Sequence, residues 1–306
     1  MSQTGPAASR VLCPPADYRL VESVRALTFS RYDPCARIAD GTFWWATRTP
    51  DGPATLALRP VGGQLLAEGY GPGADRVVDR ADAIAGLRDD LTGFAELAGA
   101  HPVVARLAAR HRGLRMPATG QLFPRVLRAV FEQKVTGTEA YRAYAATVRH
   151  FGTPAPGPAQ PLLLPPDPAA VAATAYWVFH PFGVEQRRAD TLRRAAAVAD
   201  RLERCADSAE ATRRLTAVAG IGAWTAAEVV RIAYGDPDAV SVGDYHVPNT
   251  VAWALAGEAR GDDTRMLELL APFAGHRGRV CLLLAAAGIQ APRFGPRMPL
   301  RSFARF

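Results

Sequence analysis

The spacing of apolar positions changes near residue 100. Before that point, short runs follow the two-residue alternation of strands, at 18–24, 42–49, 54–59 and 64–70. Asp51-Gly52 and Gly62-Gly63 lie between them, and such pairs accept the positive φ angles of tight hairpin turns. Phe43-Trp44-Trp45 is aromatic and β-prone, which suits a sheet core. Residues 82–97 repeat at the helical period, and residues 1–16 read as a loose polar arm. After His101 the helical period takes over, with helices expected at 103–110, from about 122, and at 138–150, 185–203, 247–257, 264–273 and 277–288. Residues 153–168 contain seven prolines and almost no periodicity, and read as a stiff surface linker. The pattern predicts an α+β protein, with a small sheet domain over 1–98 followed by an all-α region over 99–306.

The chain is organised around residues 215–249. Asp207 is placed to cap a helix, with Glu210 three positions on to complete a capping box. Gly220 and Gly222 bracket Ile221 in a turn that glycine's freedom permits. A second helix runs from Trp224 to about Tyr234, until Gly235 and Pro237 end it. Its first N–H groups have no partner inside the helix, and the helix dipole adds to their pull on an anion, so this turn suits a phosphate.

Composition changes the picture little. The chain has 306 residues, 49% of them hydrophobic and 21% charged, as in an ordinary globular protein. A net charge of +7 is compatible with an anionic partner, but an arginine-rich chain reaches that value without one. Cys13, Cys35, Cys205 and Cys281 are far apart and form no Cys-x-x-Cys pair, so neither zinc nor an iron–sulfur cluster is indicated. No apolar run is long enough to cross a membrane and no signal segment is evident, which points to a cytoplasmic protein.

Gly220-Ile221-Gly222-Ala223-Trp224-Thr225-Ala226, then Pro237-Asp238-Ala239, then Asp244-Tyr245, resembles the helix-hairpin-helix/Gly-Pro-Asp superfamily of DNA glycosylases. The resemblance is strongest to its 3-methyladenine DNA glycosylase II branch and spans about residues 113–288. It implies a nucleoid-associated enzyme acting as a monomer on double-stranded DNA with damaged bases. It assigns Asp244 as the catalytic acid, and Trp224, Glu228 and Tyr245 to the base pocket. Gln133, Lys134, Gly220, Gly222, Ala223 and Thr225 are assigned to DNA, with Gln133-Lys134-Val135 entering the duplex beside the flipped base. The resemblance further implies a monovalent Na+ or K+ ion on the backbone carbonyls of Thr216, Val218 and Ile221, a basic turn at 275–279, and a base-pocket turn near His180.

A stacked base must leave the duplex before its glycosidic bond is reached. Cleavage builds positive charge on the sugar, which a carboxylate stabilises. Asp244 can serve in that way, or simply cap the helix that starts near Val247. Superfamily members that also cut the strand carry a lysine where this chain has Trp224, so a monofunctional enzyme is expected, with excision of 3-methyladenine and 7-methylguanine. Lys134 stands where an apolar inserting residue is common. Glu228 replaces an aromatic residue, and either attracts a cationic base, accepts from a base N–H, or faces away from the pocket. A glycosylase for deaminated or oxidised bases and a non-catalytic DNA-binding protein stand as alternatives. The basic tail, with Arg293, Arg297, Arg301 and Arg305, reads as a solvated end or a DNA contact.

Overall fold

The computed structural model describes residues 5–159 and 161–292; the basic tail lies outside them. Five antiparallel strands form one sheet in the order β1-β5-β4-β3-β2. They are β1 (Ala8–Leu12), β2 (Ala36–Ala39), β3 (Thr42–Thr49), β4 (Gly52–Val61) and β5 (Gln64–Tyr70). The pairing places Phe43 opposite Leu58 and Trp45 opposite Leu56, so these four side chains share one face. They pack there with Leu65 and Ala67 and with three short helices, α1 (Leu20–Val24), α2 (Ala74–Asp79) and α3 (Ala81–Ile84).

The expected arm contributes β1, and residues 18–24 are mostly the helix α1 rather than a strand. The helix expected over 82–97 is broken. Gly86 and Gly93 adopt φ of +78° and +74°, which end one helical turn and start α4 (Phe94–Ala98). The proline-rich segment is no simple linker. Ala155, Ala159, Leu162 and Leu164 are buried against Trp44 and Ala46 on the sheet's second face. Leu163 N–H donates to the Pro34 carbonyl at 2.8 Å, and Arg48 Nε donates to the Pro165 carbonyl at 2.8 Å. Prolines lack a donor and hold φ fixed, so the segment pairs with itself only around Pro154 and Leu163, where the Ala155 N–H donates to the Leu162 carbonyl and the Leu164 N–H to the Thr153 carbonyl. This cover makes β4 buried continuously from Ala54 to Leu58 instead of alternately.

The helical part continues with α5 (Pro102–Arg110), α6 (Phe123–Phe131), α7 (Gly137–Phe151), α8 (Pro168–Ala173) and a 3-10 turn (Tyr176–Phe182). It goes on through α9 (Gln186–Ala197), α10 (Ala199–Glu203), α11 (Ser208–Thr216), α12 (Ala223–Ala233), α13 (Val247–Ala256), α14 (Asp263–Leu270) and α15 (Arg277–Ala286). The single helix expected over 185–203 divides at Val198 into α9 and α10. One core joins Leu127 and Phe131 of α6 to Leu192, Leu215 and Val229, and α6 packs directly on α12, the second helix of the glycine hairpin, which in turn holds α11. A second core joins Phe94, Ala98 and Leu107 to Val251, Met266, Phe273 and Leu284. Helical packing therefore begins before residue 99, and a cut at 98 passes through this core.

Candidate active site

The hairpin is built from the end of α11 to the start of α12. Asp207 Oδ1 accepts the Glu210 N–H at 2.7 Å, while the Glu210 carboxylate accepts from Ala206, one residue earlier than a capping box requires. Gly220 has φ of +100°, and a Cβ there would land on Thr191 Oγ1 of α9, so both conformation and space require glycine. Gly222 differs from the expectation. Its backbone is extended, at φ −101°, and a Cβ there would meet nothing within 4 Å. Any constraint at Gly222 therefore comes from what approaches from outside. The first bond of α12 runs from Ala226 N–H to the Gly222 carbonyl at 3.0 Å, and no side chain caps the helix. The N–H groups of Ala223, Trp224 and Thr225 precede that bond, beside the exposed Gly222 and Ala223.

The turn between α6 and α7 meets this hairpin. Gln133 Nε2 donates to the Gly220 carbonyl at 3.0 Å and to Thr225 Oγ1 at 2.9 Å. The Gln133 amide nitrogen and the buried Thr225 hydroxyl thus bind each other, which leaves Thr225 only its backbone N–H to offer a phosphate. Lys134 follows, exposed, with φ of +54°, a conformation uncommon for a side-chain-bearing residue. Thr136 and Glu139 then form a reciprocal capping box that starts α7. The turn is held on both sides, with the lysine at its tip.

Asp244 lies 20 residues beyond Trp224 in sequence and in contact with it: Trp224 Nε1–H donates to Asp244 Oδ2 at 2.8 Å. The other oxygen, Oδ1, accepts from His246 N–H at 2.7 Å and Val247 N–H at 2.9 Å. Asp244 therefore caps α13 and faces α12 at once. Gly243, at φ +89°, makes the turn before it, and its N–H is held by Asp263. Tyr245 is 84% exposed, with its ring edge-on to His246, so it lines no enclosed pocket here.

Glu228 is one helical turn after Trp224, but its oxygens are already engaged. Oε2 accepts from Arg125 at 2.5 Å and Arg231 at 2.8 Å, and Oε1 accepts from the Ser241 hydroxyl at 2.6 Å. Arg125 Nε also donates to the Glu228 carbonyl at 2.9 Å. Burial opposes the charged form, but Arg231, Arg125 and Ser241 outweigh it and hold the Glu228 carboxyl well below the usual carboxylate range. The expectation that Glu228 lines the base pocket is thereby corrected: a carboxylate with three inward partners has little left for a base. Arg125 was legible as a charged residue within the apolar run of α6, which calls for a buried partner. Ser241 carried no such signal.

The basic turn at 275–279 is also paired internally. Arg277 binds Asp238 at 2.5 Å, and Arg279 forms an ion pair with Asp89 that is almost fully buried. His180 lies in the 3-10 turn against Tyr176, with ring centroids 5.4 Å apart. Cys35 and Cys205 are buried, Cys13 is exposed, and the described residues hold no group of three or more His, Cys, Asp or Glu arranged for a metal. None of the described helices is long and apolar enough to cross a membrane.

No protein-family model and no curated protein matches the chain. Solved structures do. A 3-methyladenine DNA glycosylase from Archaeoglobus fulgidus superposes with a TM-score of 0.77 at 16% identity, covering 91% of this chain and 98% of that one. An 8-oxoguanine glycosylase/lyase from Clostridium acetobutylicum, in complex with double-stranded DNA, gives 0.71 at 11% identity, over 93% and 96%. A 3-methyladenine DNA glycosylase from Schizosaccharomyces pombe, in complex with abasic DNA, gives 0.52 at 17%, over 66% and 100%. With its sheet, its helical body and a glycine hairpin leading to a single acid, the chain has the fold of the helix-hairpin-helix DNA glycosylases.

Proposed function

We propose that this protein is a monofunctional DNA glycosylase of base excision repair, acting as a monomer on damaged duplex DNA and removing alkylated purines such as 3-methyladenine and 7-methylguanine. The observation that carries this reading is the Asp244 carboxylate, oriented by Trp224, His246 and Val247 beside the open N-terminus of α12. A phosphate on the Ala223, Trp224 and Thr225 N–H groups would register the duplex without reading its sequence. The Lys134 turn would occupy the space a flipped base leaves. Water then adds at the sugar C1′ and gives up a proton to the Asp244 carboxylate, the bond from C1′ to the base nitrogen breaks, and the base departs with that electron pair. The charge that builds on the sugar lies against Asp244. Three of the carboxylate's roughly four lone-pair sites are used inside the protein, which leaves one on Oδ2 for the sugar or the water.

Trp224 supplies no amine, and Lys134 is the only lysine in the chain, so the product of this route is an abasic site and not a cut strand. A Na+ or K+ ion on the Thr216, Val218 and Ile221 carbonyls belongs to the same reading. Val218 already accepts the Ile221 N–H at 2.9 Å, and its oxygen keeps a second lone pair. The named substrates of the fold's relatives include both alkylated and oxidised purines, so the lesion class is the finer part of the proposal. The test is base release from duplexes carrying 3-methyladenine, 7-methylguanine, hypoxanthine or 8-oxoguanine. Release from the first two, with strands intact until alkali, supports the proposal. Release from the others alone would overturn the substrate, and release from none would overturn the activity.

A further inference from the structure

The helix α12 holds the loop that carries Asp244 at two points, one turn apart. At the first, Trp224 Nε1–H donates to Asp244 Oδ2 at 2.8 Å. At the second, Glu228 Oε1 accepts the Ser241 hydroxyl at 2.6 Å, and Ser241 in turn accepts the Asp244 N–H on its carbonyl at 3.2 Å. Residues four apart on a helix share one face, so a single edge of α12 reaches both ends of the 241–244 loop. The second point is anchored further back. Arg125 of α6 binds both the Glu228 carboxylate and the Glu228 backbone carbonyl, and Arg231 binds the same carboxylate oxygen as Arg125. Ser241 is 8% exposed, and the Arg125 and Glu228 side chains are 6% and 14% exposed, so water competes poorly for these bonds.

We propose that Trp224 and Glu228 are positioning residues for the glycosylase reaction, acting through Asp244: the indole N–H aims the carboxylate, and Glu228, through Ser241, fixes the height of its loop. The inference rests on the glycosylase reading above. It separates two properties of Trp224 that a stacking role would not. A tryptophan that stacks on a base uses its ring face, whereas this one uses its ring edge. Trp224→Phe keeps an aromatic face and loses the N–H. Ser241→Ala removes the loop anchor and leaves both arginines paired with Glu228. A carboxylate that must lie against one sugar carbon is sensitive to displacements of about 1 Å, which can cost on the order of 100-fold in rate.

The experiment compares wild type, Trp224→Phe, Ser241→Ala and Ser241→Thr. It measures single-turnover base release at saturating enzyme, affinity for a duplex containing a tetrahydrofuran abasic analogue, and thermal midpoint. The expected result is a loss of at least tenfold in rate for Trp224→Phe and for Ser241→Ala, equal on 7-methylguanine and hypoxanthine, with affinity unchanged within about twofold. Ser241→Thr, which restores the hydroxyl, should recover most of the rate. Wild-type rates in Trp224→Phe or in Ser241→Ala, or a loss confined to affinity, would overturn the proposal. A readout independent of activity is the indole N–H resonance that disappears in Trp224→Phe. In wild type it should be protected from solvent exchange, and in Asp244→Ala it should lose that protection. Protection without any base release would leave the clamp standing and remove the glycosylase reading. Absence of protection would remove the clamp itself.

Discussion

Replacing Glu228 by glutamine tests how the interior behind the hairpin is held. The carboxylate is the shared partner of Arg125 and Arg231, all three side chains being largely buried. Glutamine keeps the shape but removes the charge, and leaves two buried guanidinium groups facing a neutral amide. Glu132, 3.8 Å from Arg125, is the nearest remaining carboxylate. Breaking a buried ion pair from one side costs about 3–5 kcal/mol. For a chain of this length, at roughly 1.5 °C per kcal/mol, the thermal midpoint should fall by about 5–8 °C. The pH dependence has a definite sign. Because the folded carboxyl lies below its ordinary value of 4.5, its contribution is complete above that pH and lost as pH falls further. Calorimetry from pH 3 to 8 should therefore show the wild-type advantage over Glu228→Gln shrinking below pH 4.5 and constant above it. Excision of cationic and neutral bases should fall by the same factor, since the carboxylate has no free oxygen for either. An unchanged midpoint, or a loss confined to 7-methylguanine, would refute this account of Glu228.

Two further outcomes follow from the hairpin. Gly222→Val should fold with an unchanged midpoint, because its backbone is extended and its surroundings are open, yet should weaken binding to damaged and undamaged duplexes alike by at least tenfold; equal affinity in a fluorescence anisotropy titration would remove the phosphate contact. Borohydride should trap no covalent adduct with an abasic duplex, because Trp224 has no amine; a trapped species that disappears in Lys134→Arg would show lyase chemistry from the inserting turn.

Much of this architecture was legible before the structure. The hairpin and its two helices follow from glycine placement and helical period, because local backbone rules govern them, whereas the role of Asp244 was implied by the resemblance. Strands β3, β4 and β5 were visible through their turn pairs. What escaped depends on distant partners. Residues 153–168 looked like a solvent-facing linker because proline removes periodicity, and only the second face of the sheet reveals why Leu162 and Leu164 are there. Glu228 looked like a pocket residue because its spacing from Trp224 is helical, but its true partners come from α6 and from the loop before Asp244. The basic turn at 275–279 rested on resemblance alone, and its arginines pair within the protein, Arg277 with Asp238 and Arg279 with the buried Asp89. Spacing along one helix names a face, and does not say what that face meets.

The account turns on one carboxylate, and Asp244→Asn tests it most directly. The substitution changes one atom, and the asparagine can still accept from His246 and Val247, so the cap on α13 can persist. Single-turnover release of 7-methylguanine should fall by at least 1,000-fold, about 4 kcal/mol of lost transition-state stabilisation, while affinity for an abasic-analogue duplex and the thermal midpoint stay close to wild type. Release at the wild-type rate would contradict the account and leave Asp244 as a helix cap alone.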